Sequence, residues 1–210
     1  MEYSYIAIEG CIGAGKTTLA SRIAAEFEGK LILEQFEDNP FLPKFYKNQE
    51  KYAFPLELSF LASRYQQLMD KLSSQELFHL FTVSDYFITK SLIFAQRTLK
   101  GDELALYSRL YQIIEANLPQ PQLLVYLYSD IDRLLGNIHQ RGRDYEQHIS
   151  AEYLQRIQTG YFDYMRQQTQ QRIVIIDTNS VDFVARESDY QRMKALLLDD
   201  WPVGISRVKV

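Results

Sequence analysis

The chain has 210 residues, 46% of them hydrophobic and 24% charged, which suits one globular domain with a sizeable core. Its formal net charge of -4 argues against a protein that coats nucleic acid, because such domains are usually basic. A single cysteine, Cys11, excludes an intramolecular disulfide and favours a reducing compartment. No apolar run approaches the roughly 18–20 residues that span a bilayer, and the first residues lack the features of a signal peptide. We therefore expect a cytoplasmic protein with neither a membrane nor a nucleic-acid partner.

The predicted elements alternate between strands and helices along the chain. A strand over 3–9 precedes a helix over 17–27, and a brief strand over 31–33 follows. Pro40 or Pro43 suits the start of a second helix, and a long helix over 57–72 leads to a strand over 77–83. The remaining predicted elements are a helix over 104–118, a strand over 123–128, helices over 131–140 and 151–166, a strand over 172–177 and a helix over 190–198. This alternation predicts one α/β domain over 1–210, with a five-stranded parallel sheet covered by helices on both faces.

Residues 10–17 read GCIGAGKT and match the Walker A pattern G-x-x-x-x-G-K-[ST] in full. The glycines let backbone N–H groups point inward as a nest for anions, and the following helix adds the positive end of its dipole. Lys16 supplies a mobile cation for the β- and γ-phosphates, and the Thr17 hydroxyl can bind Mg²⁺. The motif predicts that the chain binds ATP and Mg²⁺. The predicted phosphate-binding residues are Gly10, Gly13, Ala14, Gly15, Lys16, Thr17 and Thr18.

A P-loop alone does not distinguish a kinase from a GTPase, an ATPase motor or a regulatory switch. The sequence has no Asn-Lys-x-Asp segment of the kind that GTPases use to read guanine. Small kinases carry an arginine-rich lid late in the chain, where Arg141 and Arg143 flank a glycine. Arginines over a transferring phosphate stabilise its charge, although a solvated helix end would explain them too. The pattern favours a kinase in which Lys16, Arg141 and Arg143 act in catalysis.

Several further segments resemble the deoxynucleoside kinase family, in the same order and over nearly the whole chain. Besides the P-loop, they are Glu34 within LEQFEDNPFLPKFY, SRYQQ at 63–67, IFA at 93–95, RGRDYEQ at 141–147 and DTNSVDF at 177–183. The resemblance implies a P-loop kinase three-layer sandwich with an arginine-rich lid. It also implies ATP-dependent phosphorylation of a deoxynucleoside 5′-hydroxyl in nucleoside salvage, and a homodimer packed through the helices around 57–72 and 104–118. Asp182 and Phe183 would lie in the loop that holds the ATP adenine through backbone contacts.

Glu34 follows the second predicted strand, at the sheet edge where ligands bind in open α/β folds. A carboxylate there can accept the proton of a hydroxyl that attacks the γ-phosphate, and the resemblance implies that Glu34 is the general base. A surface acid before a turn is the alternative interpretation. Glu37 and Asp38 are nearby alternatives for the base.

The resemblance also implies a set of residues around the acceptor. Tyr46 and Glu146 would bind the sugar 3′-hydroxyl, and Arg64 would support the nucleobase or the catalytic carboxylate. Aromatic residues would form the walls around the nucleobase, although core packing explains each of them equally well. These predicted walls are Tyr52, Phe54 and Phe94.

The chain departs from the family pattern around the third strand and in the lid. Relatives carry an acid followed by Arg-Ser, but an ungapped count from IFA places Ser84 and Asp85 at the acid and the Arg. Asp85 still ends an apolar strand, which is the arrangement that holds Mg²⁺ together with Thr17. Relatives also carry an Arg four residues before the lid motif, where this chain has Asn137. Slower chemistry, a different acceptor, or compensation by Arg133 or Lys90 would each account for the missing charge.

The predicted nucleobase readers differ from the family as well. Glu57 stands where relatives have Gln, and Lys90 stands where they have Asp. An ionised Glu only accepts hydrogen bonds, which suits the N1–H and exocyclic amine of guanine. We therefore predict a purine deoxynucleoside as substrate, with guanine favoured over adenine. The alternatives are that Glu57 and Lys90 pair with each other and read nothing, that the kinase has another small-molecule acceptor, or that the chain is a nucleotide-binding module without turnover.

Overall fold

A computed structural model describes residues 2–35, 39–72 and 81–210. Six strands form one parallel sheet in the order β2-β3-β1-β4-β5-β6. The strands are β1 (Tyr5–Gly10), β2 (Lys30–Ile32), β3 (Thr82–Ser84), β4 (Leu123–Tyr128), β5 (Arg172–Asp177) and β6 (Gly204–Lys209). Every residue of β1 is buried, as expected for the centre of a sheet covered on both faces.

Eight α-helices accompany the strands in the described residues, and a short 3-10 helix (Asp144–Glu146) follows the sixth of them. The helices are α1 (Lys16–Glu26), α2 (Leu42–Lys47), α3 (Gln49–Leu72), α4 (Thr89–Thr98), α5 (Gly101–Glu115), α6 (Ile131–Arg141), α7 (Ala151–Gln167) and α8 (Glu187–Leu198). No helix within these ranges is long and apolar enough to cross a membrane. The predicted parallel α/β architecture is confirmed.

The predicted number of strands was wrong, because β6 adds a sixth. This strand pairs only with β5 at the edge of the sheet. Its residues alternate between partly buried and exposed positions, and Ile205 is 39% exposed. An edge strand needs little apolar sequence because one side of it is not covered by the sheet, so the segment lacks the apolar run that marked the other strands.

Two other elements differ from their predicted form. Helix α3 begins at Gln49, eight residues before the predicted start at 57, and continues through Pro55. A proline usually interrupts a helix because it lacks an N–H group, so the pattern before 57 did not predict a helix. Helix α4 was not predicted at all. Of the strand predicted over 77–83, residues 77–80 lie outside the described part of the chain, and β3 occupies Thr82–Ser84.

The sheet places three polar segments at one edge. The P-loop follows the carboxyl end of β1, Asp85 follows β3, and Glu34 lies two residues beyond β2. Since β2, β3 and β1 are adjacent and parallel, their carboxyl ends meet at the same edge of the sheet. This edge is where open α/β sheets bind ligands.

Candidate active site

The P-loop depends on two glycines with left-handed backbone conformations. Gly13 has φ 86° and Gly15 has φ 84°, values that residues with a Cβ rarely adopt. A Cβ on Gly13 would lie 2.8 Å from the carbonyl oxygen of Leu134 in α6. Gly15 forms the N-cap of α1, so the unpaired N–H groups at the start of that helix lie beside the loop. The backbone is thus shaped to bind phosphate, with α6 packed directly against it.

A cavity borders the P-loop and is called the donor cavity below. Its walls come from the P-loop, from α6 with the residues that follow it, and from the loop over 178–185. The lining residues are Gly13, Ala14, Gly15, Lys16, Thr17, Thr18, Ser129, Arg133, Asn137, Gln140, Arg141, Arg143, Thr178, Asp182, Phe183, Val184 and Ala185. Of the predicted ATP-binding residues, Gly10 is buried and does not line this cavity.

The loop over 178–185 is held against the P-loop and α1 by the ring and the backbone carbonyl of Phe183. A Cβ on Gly15 would lie 2.7 Å from the ring of Phe183, and Arg22 Nη1 donates to the Phe183 carbonyl over 2.9 Å. The Asp182 carboxylate accepts hydrogen bonds from the N–H groups of Val184 and Ala185. Asp182 therefore shapes the loop with its side chain.

Asn137 and Arg133, which both lie on α6, donate hydrogen bonds to backbone carbonyls. Asn137 Nδ2 donates to the Gly13 carbonyl over 2.8 Å. Arg133 donates to the carbonyls of Asn179 and Val181. Asn137 thus links α6 to the P-loop, and Arg133 links the same helix to the loop over 178–185.

Asp85 connects the P-loop to the predicted base. Its Oδ2 accepts a 2.5 Å hydrogen bond from the Thr17 hydroxyl, and its Oδ1 accepts a 2.7 Å bond from the Glu34 N–H. Paired hydroxyl and carboxylate oxygens beside a phosphate site are ligands that suit Mg²⁺, which takes few protein ligands and keeps water and phosphate oxygens. No group of three or more His, Cys, Asp or Glu residues that could hold a metal ion occurs in the described ranges.

Glu34 lies in a cluster with two cations. Its Oε1 accepts hydrogen bonds from Arg64 Nε (2.8 Å) and Nη2 (2.6 Å), and its Oε2 accepts one from Lys90 Nζ over 2.5 Å. Burial alone would raise the pKa of Glu34, but the Lys90 ammonium and the Arg64 guanidinium outweigh burial and lower the pKa to about 2. Glu34 is therefore an ionised carboxylate at neutral pH. The alternatives Glu37 and Asp38 lie outside the described residues.

Lys90 does not pair with Glu57, which corrects one of the alternatives drawn from the sequence. The ammonium donates to Glu34 instead, while Glu57 Oε1 accepts a 2.9 Å hydrogen bond from the Thr98 hydroxyl. Burial raises the pKa of Glu57 to about 7, because the attraction of Arg64 and the Thr98 bond only partly offset the loss of solvent. Lys90 and Glu57 lie on different helices, α4 and α3, so their sequence positions did not predict these partners.

A second cavity, called the acceptor cavity below, also borders the P-loop. It contains Glu34, Glu57, Arg64, Lys90, Tyr46, Phe94 and Glu146, all predicted to line an acceptor site. The full lining is Ile12, Gly13, Lys16, Thr17, Glu34, Leu42, Phe45, Tyr46, Leu56, Glu57, Phe60, Arg64, Asp85, Lys90, Phe94, Arg141, Arg143, Glu146 and Tyr153. Apolar and aromatic walls with a few converging charged groups are typical of small-molecule sites.

The lid arginines lie between the two cavities and line both. Arg141 Nη2 forms an ion pair with Glu146, and Arg143 Nη1 lies 3.5 Å from the same carboxylate. Glu146 is 6% exposed and belongs to the 3-10 helix after the Arg-Gly-Arg turn. The adjacent Tyr145 stacks on Tyr46, with ring centroids 6.4 Å apart. The lid is thereby joined to the wall of the acceptor cavity.

Comparison with known proteins identifies the family. The family model described as "Deoxynucleoside kinase" matches residues 6–199. A deoxyguanosine kinase of Bacillus subtilis (strain 168) is 38% identical over 91% of this chain and 94% of its own length. A deoxyadenosine kinase of Dictyostelium discoideum is 32% identical over 93% of this chain and 80% of its own. This chain belongs to the deoxynucleoside kinase family. It is therefore a phosphotransferase.

The fold of the kinase also has solved counterparts. The structure of a deoxyadenosine kinase from M. mycoides with bound dATP superposes with a TM-score of 0.79, at 20% identity, over 93% of this chain and 100% of the other. A second structure of the M. mycoides enzyme, with the products dCMP and dCDP, gives a TM-score of 0.78 at 22% identity, over 92% of this chain and 98% of the other. At these identities the likeness concerns the fold, and it agrees with the P-loop kinase sandwich predicted from the sequence.

Two predicted aromatic walls of the kinase, Tyr52 and Phe54, do not line the acceptor cavity. Both precede Pro55 near the start of α3 and are partly buried. The face of α3 that lines the cavity carries Leu56, Glu57, Phe60 and Arg64, which are spaced as one face of a helix. Phe60 was missed, although its position between Glu57 and Arg64 on that face was available from the helical period. Its ring lies 4.6 Å from the Arg64 guanidinium carbon.

Other lining residues of the kinase carried no signal in the sequence. Phe45 comes from α2, and Tyr153 comes from α7, more than a hundred residues later in the chain. Their rings lie 6.2 Å apart in the structure. Only the packing of α2 near the start of α7 brings them together, so helical period could not identify them.

Proposed function

We propose that this kinase transfers the γ-phosphoryl group of ATP to the 5′-hydroxyl of a purine deoxynucleoside, with guanine favoured over adenine. One observation carries the proposal: the donor and acceptor cavities meet at the P-loop and the lid. The residues that line both are Gly13, Lys16, Thr17, Arg141 and Arg143. A phosphoryl group at this junction would have phosphate-binding groups on one side and Glu34 on the other.

The reaction needs a hydroxyl, a phosphoryl group and a proton acceptor in line. The 5′-oxygen would form a bond to the γ-phosphorus while the bond to the ADP oxygen breaks, and Glu34 would take the hydroxyl proton. Since the pKa of Glu34 is about 2, its carboxylate is ionised before the substrate binds. The loose transition state of phosphoryl transfer leaves mainly positioning and charge stabilisation to the protein.

Three cations would stabilise the charge that spreads over the transferring group. Lys16 Nζ donates to the carbonyl of Cys11 over 2.9 Å in this structure, beside the phosphate nest. Burial and the neighbouring Lys90 ammonium lower the pKa of Lys16 to about 8. Arg141 and Arg143 would supply the other charges from the lid. Thr17 and Asp85 would hold Mg²⁺, which would neutralise phosphate charge when bound.

The acceptor cavity would recognise the sugar and the base at opposite ends. Tyr46 and Glu146 would bind the 3′-hydroxyl, since both line the cavity beside the lid. Phe60 and Phe94 would form walls for the base, with Glu57 accepting hydrogen bonds from its edge. The preference for guanine is supported by the acceptor-only chemistry of an ionised carboxylate and by the resemblance to the Bacillus subtilis deoxyguanosine kinase.

We also propose that the enzyme is a cytoplasmic homodimer in nucleoside salvage, packed through α3 and α5. These helices contact each other and carry exposed apolar side chains. Leu58 on α3 is 36% exposed, and Leu106 and Ile113 on α5 are 45% and 66% exposed. Leu106 and Ile113 are two helical turns apart and so share a face, which a second copy of the chain would cover.

The test is a screen for ADP release with saturating Mg·ATP and each of the four deoxynucleosides. We expect release that depends on deoxyguanosine or deoxyadenosine. Glu34→Gln should lower turnover roughly 10²–10⁴-fold while ATP still binds, and Glu152→Gln, at an exposed position, should leave turnover unchanged. Release that is independent of any nucleoside, or strong activity on thymidine alone, would contradict the proposal.

A further inference from the structure

Glu57 lies in an unusual setting for a carboxyl group that faces a binding cavity. The residue is 2% exposed and lines the acceptor cavity. Within the described part of the chain its carboxyl has one hydrogen-bond partner, the Thr98 hydroxyl at Oε1. The second oxygen, Oε2, has none among those residues. A buried carboxyl with a free oxygen at a cavity wall is available to a ligand.

The nearest cations do not neutralise Glu57. Arg64 and Lys90 both donate to Glu34, with Arg64 using its Nε and Nη2 atoms and Lys90 its ammonium. Arg64 Nη1 is bound as well, to the Ser91 hydroxyl over 2.7 Å. A buried carboxyl without an ion-pair partner keeps its proton to higher pH than an exposed one. This explains in structural terms why burial raises the pKa of Glu57 to about 7.

We propose that Glu57 is a specificity-determining residue that binds adenine only in its protonated form and guanine in either form, so that the preference for deoxyguanosine increases with pH. The inference rests on the proposed function. The protonation state of this one carboxyl group would then set how well the site discriminates between the two purines.

The two forms of the carboxyl differ in the base edges that they match. An ionised carboxylate offers two acceptors, which fit the N1–H and the exocyclic amine of guanine. A protonated carboxyl offers one O–H donor and one acceptor, which fit N1 and the exocyclic amine of adenine and also O6 and N1–H of guanine. The ionised form has no donor for N1 of adenine, which would stay buried without a hydrogen bond, and sites built on hydrogen bonds discriminate strongly for that reason.

Glu57 changes charge near neutral pH at the base end of the acceptor cavity, whereas the other groups that face it do not. Burial raises the pKa of Tyr46 on α2, Tyr107 on α5 and Tyr153 on α7 above the range of ordinary tyrosines. Arg64 remains charged, since Glu34 and the other acidic groups around it raise its pKa although burial opposes this. The pKa of Glu34 is about 2.

The remaining charged groups are paired with other residues or lie at the phosphate nest. Lys90 is bonded to Glu34, and Glu146 is bonded to Arg141. Lys16 has a pKa of about 8, but it lies at the phosphate nest, where every deoxynucleoside would experience it equally. Its titration therefore cancels when two substrates are compared under the same conditions.

The experiment is a competition between deoxyguanosine and deoxyadenosine in one reaction with Mg·ATP, with both monophosphates measured from pH 6 to pH 8. As pH rises through the pKa, the ionised form of Glu57 increases at the expense of the protonated form. The kcat/KM ratio of deoxyguanosine to deoxyadenosine should therefore rise by up to about tenfold per pH unit. In Glu57→Gln, whose amide has one donor and one acceptor at every pH, the ratio should not change with pH. Glu50→Gln, at an exposed position of the same helix, should follow the unmodified enzyme.

A second measurement needs no variant. Calorimetry near pH 7, in two buffers with different ionisation heats, should show uptake of about half a proton on binding deoxyadenosine and little proton exchange on binding deoxyguanosine. A pH-independent ratio in the unmodified enzyme, or equal proton counts for the two ligands, would overturn the inference while the kinase activity stands. Failure to phosphorylate either nucleoside at any pH would refute the proposed function instead.

Discussion

The donor and acceptor cavities share a boundary but are built in different ways. The donor cavity is formed around one continuous loop whose backbone conformation is set by glycines at Gly13 and Gly15. The acceptor cavity is formed by side chains from six α-helices, from the 3-10 helix and from loops at the sheet edge. A backbone nest tolerates many changes in neighbouring side chains, whereas a side-chain wall changes with each substitution. Of the departures from the family pattern, Glu57, Asp85 and Lys90 line the acceptor cavity, whereas Asn137 lines the donor cavity.

The largest expected effect tests the backbone character of the donor cavity. In Gly13→Val the new Cβ would lie 2.8 Å from the Leu134 carbonyl oxygen, at φ 86°. Strain and clash of about 3 kcal/mol or more correspond to a loss of ATP affinity of at least roughly 100-fold. Calorimetric titration with ATP measures this loss. Gly136→Val is the matched control on α6, because no atom lies within 4 Å of its Cβ position, and retained ATP affinity in Gly13→Val would contradict the comparison.

The second effect tests whether one buried side chain organises the acceptor side. Arg64 is 4% exposed and donates to both Glu34 and Ser91. Removing one partner from a buried ion pair is strongly destabilising, so Arg64→Met should lower the free energy of unfolding by about 3 kcal/mol or more. Denaturant unfolding measures the loss. Arg166→Met is the control, because that side chain is 67% exposed and should change stability by less than about 1 kcal/mol; similar losses in the two variants would refute the assigned role of Arg64.

The third effect tests the lid as the link between the two cavities. In Glu146→Gln the lid arginines lose their carboxylate partner. We expect the KM for the deoxynucleoside to rise about tenfold through the weakened bond to the 3′-hydroxyl. ATP should bind a few-fold more tightly, because Arg141 would no longer have to break its ion pair with Glu146, at a cost of about 1 kcal/mol, before it reaches the phosphates.

Steady-state kinetics and ATP titration separate these two effects of Glu146→Gln. Asp163→Asn serves as the control, since Asp163 pairs with Arg97 and Arg166 and lines neither cavity. If ATP bound more weakly to Glu146→Gln, the lid would not be held back by Glu146.

The smallest effect distinguishes the observed aromatic wall from the predicted one. Phe60→Leu should raise the KM for the deoxynucleoside about threefold to tenfold, because a base loses an aromatic contact of about 0.5–1.5 kcal/mol. Tyr52→Leu should leave KM within about twofold, as Tyr52 does not line the cavity. Both variants are compared in the same initial-rate assay. A larger increase in KM for Tyr52→Leu than for Phe60→Leu would indicate that the base contacts Tyr52, as the sequence predicted, and not Phe60.

Long-range contacts explain which site features the sequence predicted and which it did not. The Walker A motif predicted the donor loop because its function depends on backbone conformation within eight consecutive residues. The positions of Glu34 and Asp85 at one sheet edge followed from the parallel order of the strands. The partner of Lys90 could not be predicted, since two acids, Glu34 and Glu57, were available at long range and only the packing of α3 against α4 selects between them.

The sequence by itself determined the parallel α/β fold, the family and the phosphate-binding loop, because these depend on hydrophobic period and on short contiguous motifs. Tertiary structure decided the sixth strand, the aromatic wall at Phe60 and the pairing of Arg64 and Lys90 with Glu34. It also decided that Glu57 is buried without a cation of its own. Protonation depends on burial and on neighbouring charges, which come together only when distant helices pack.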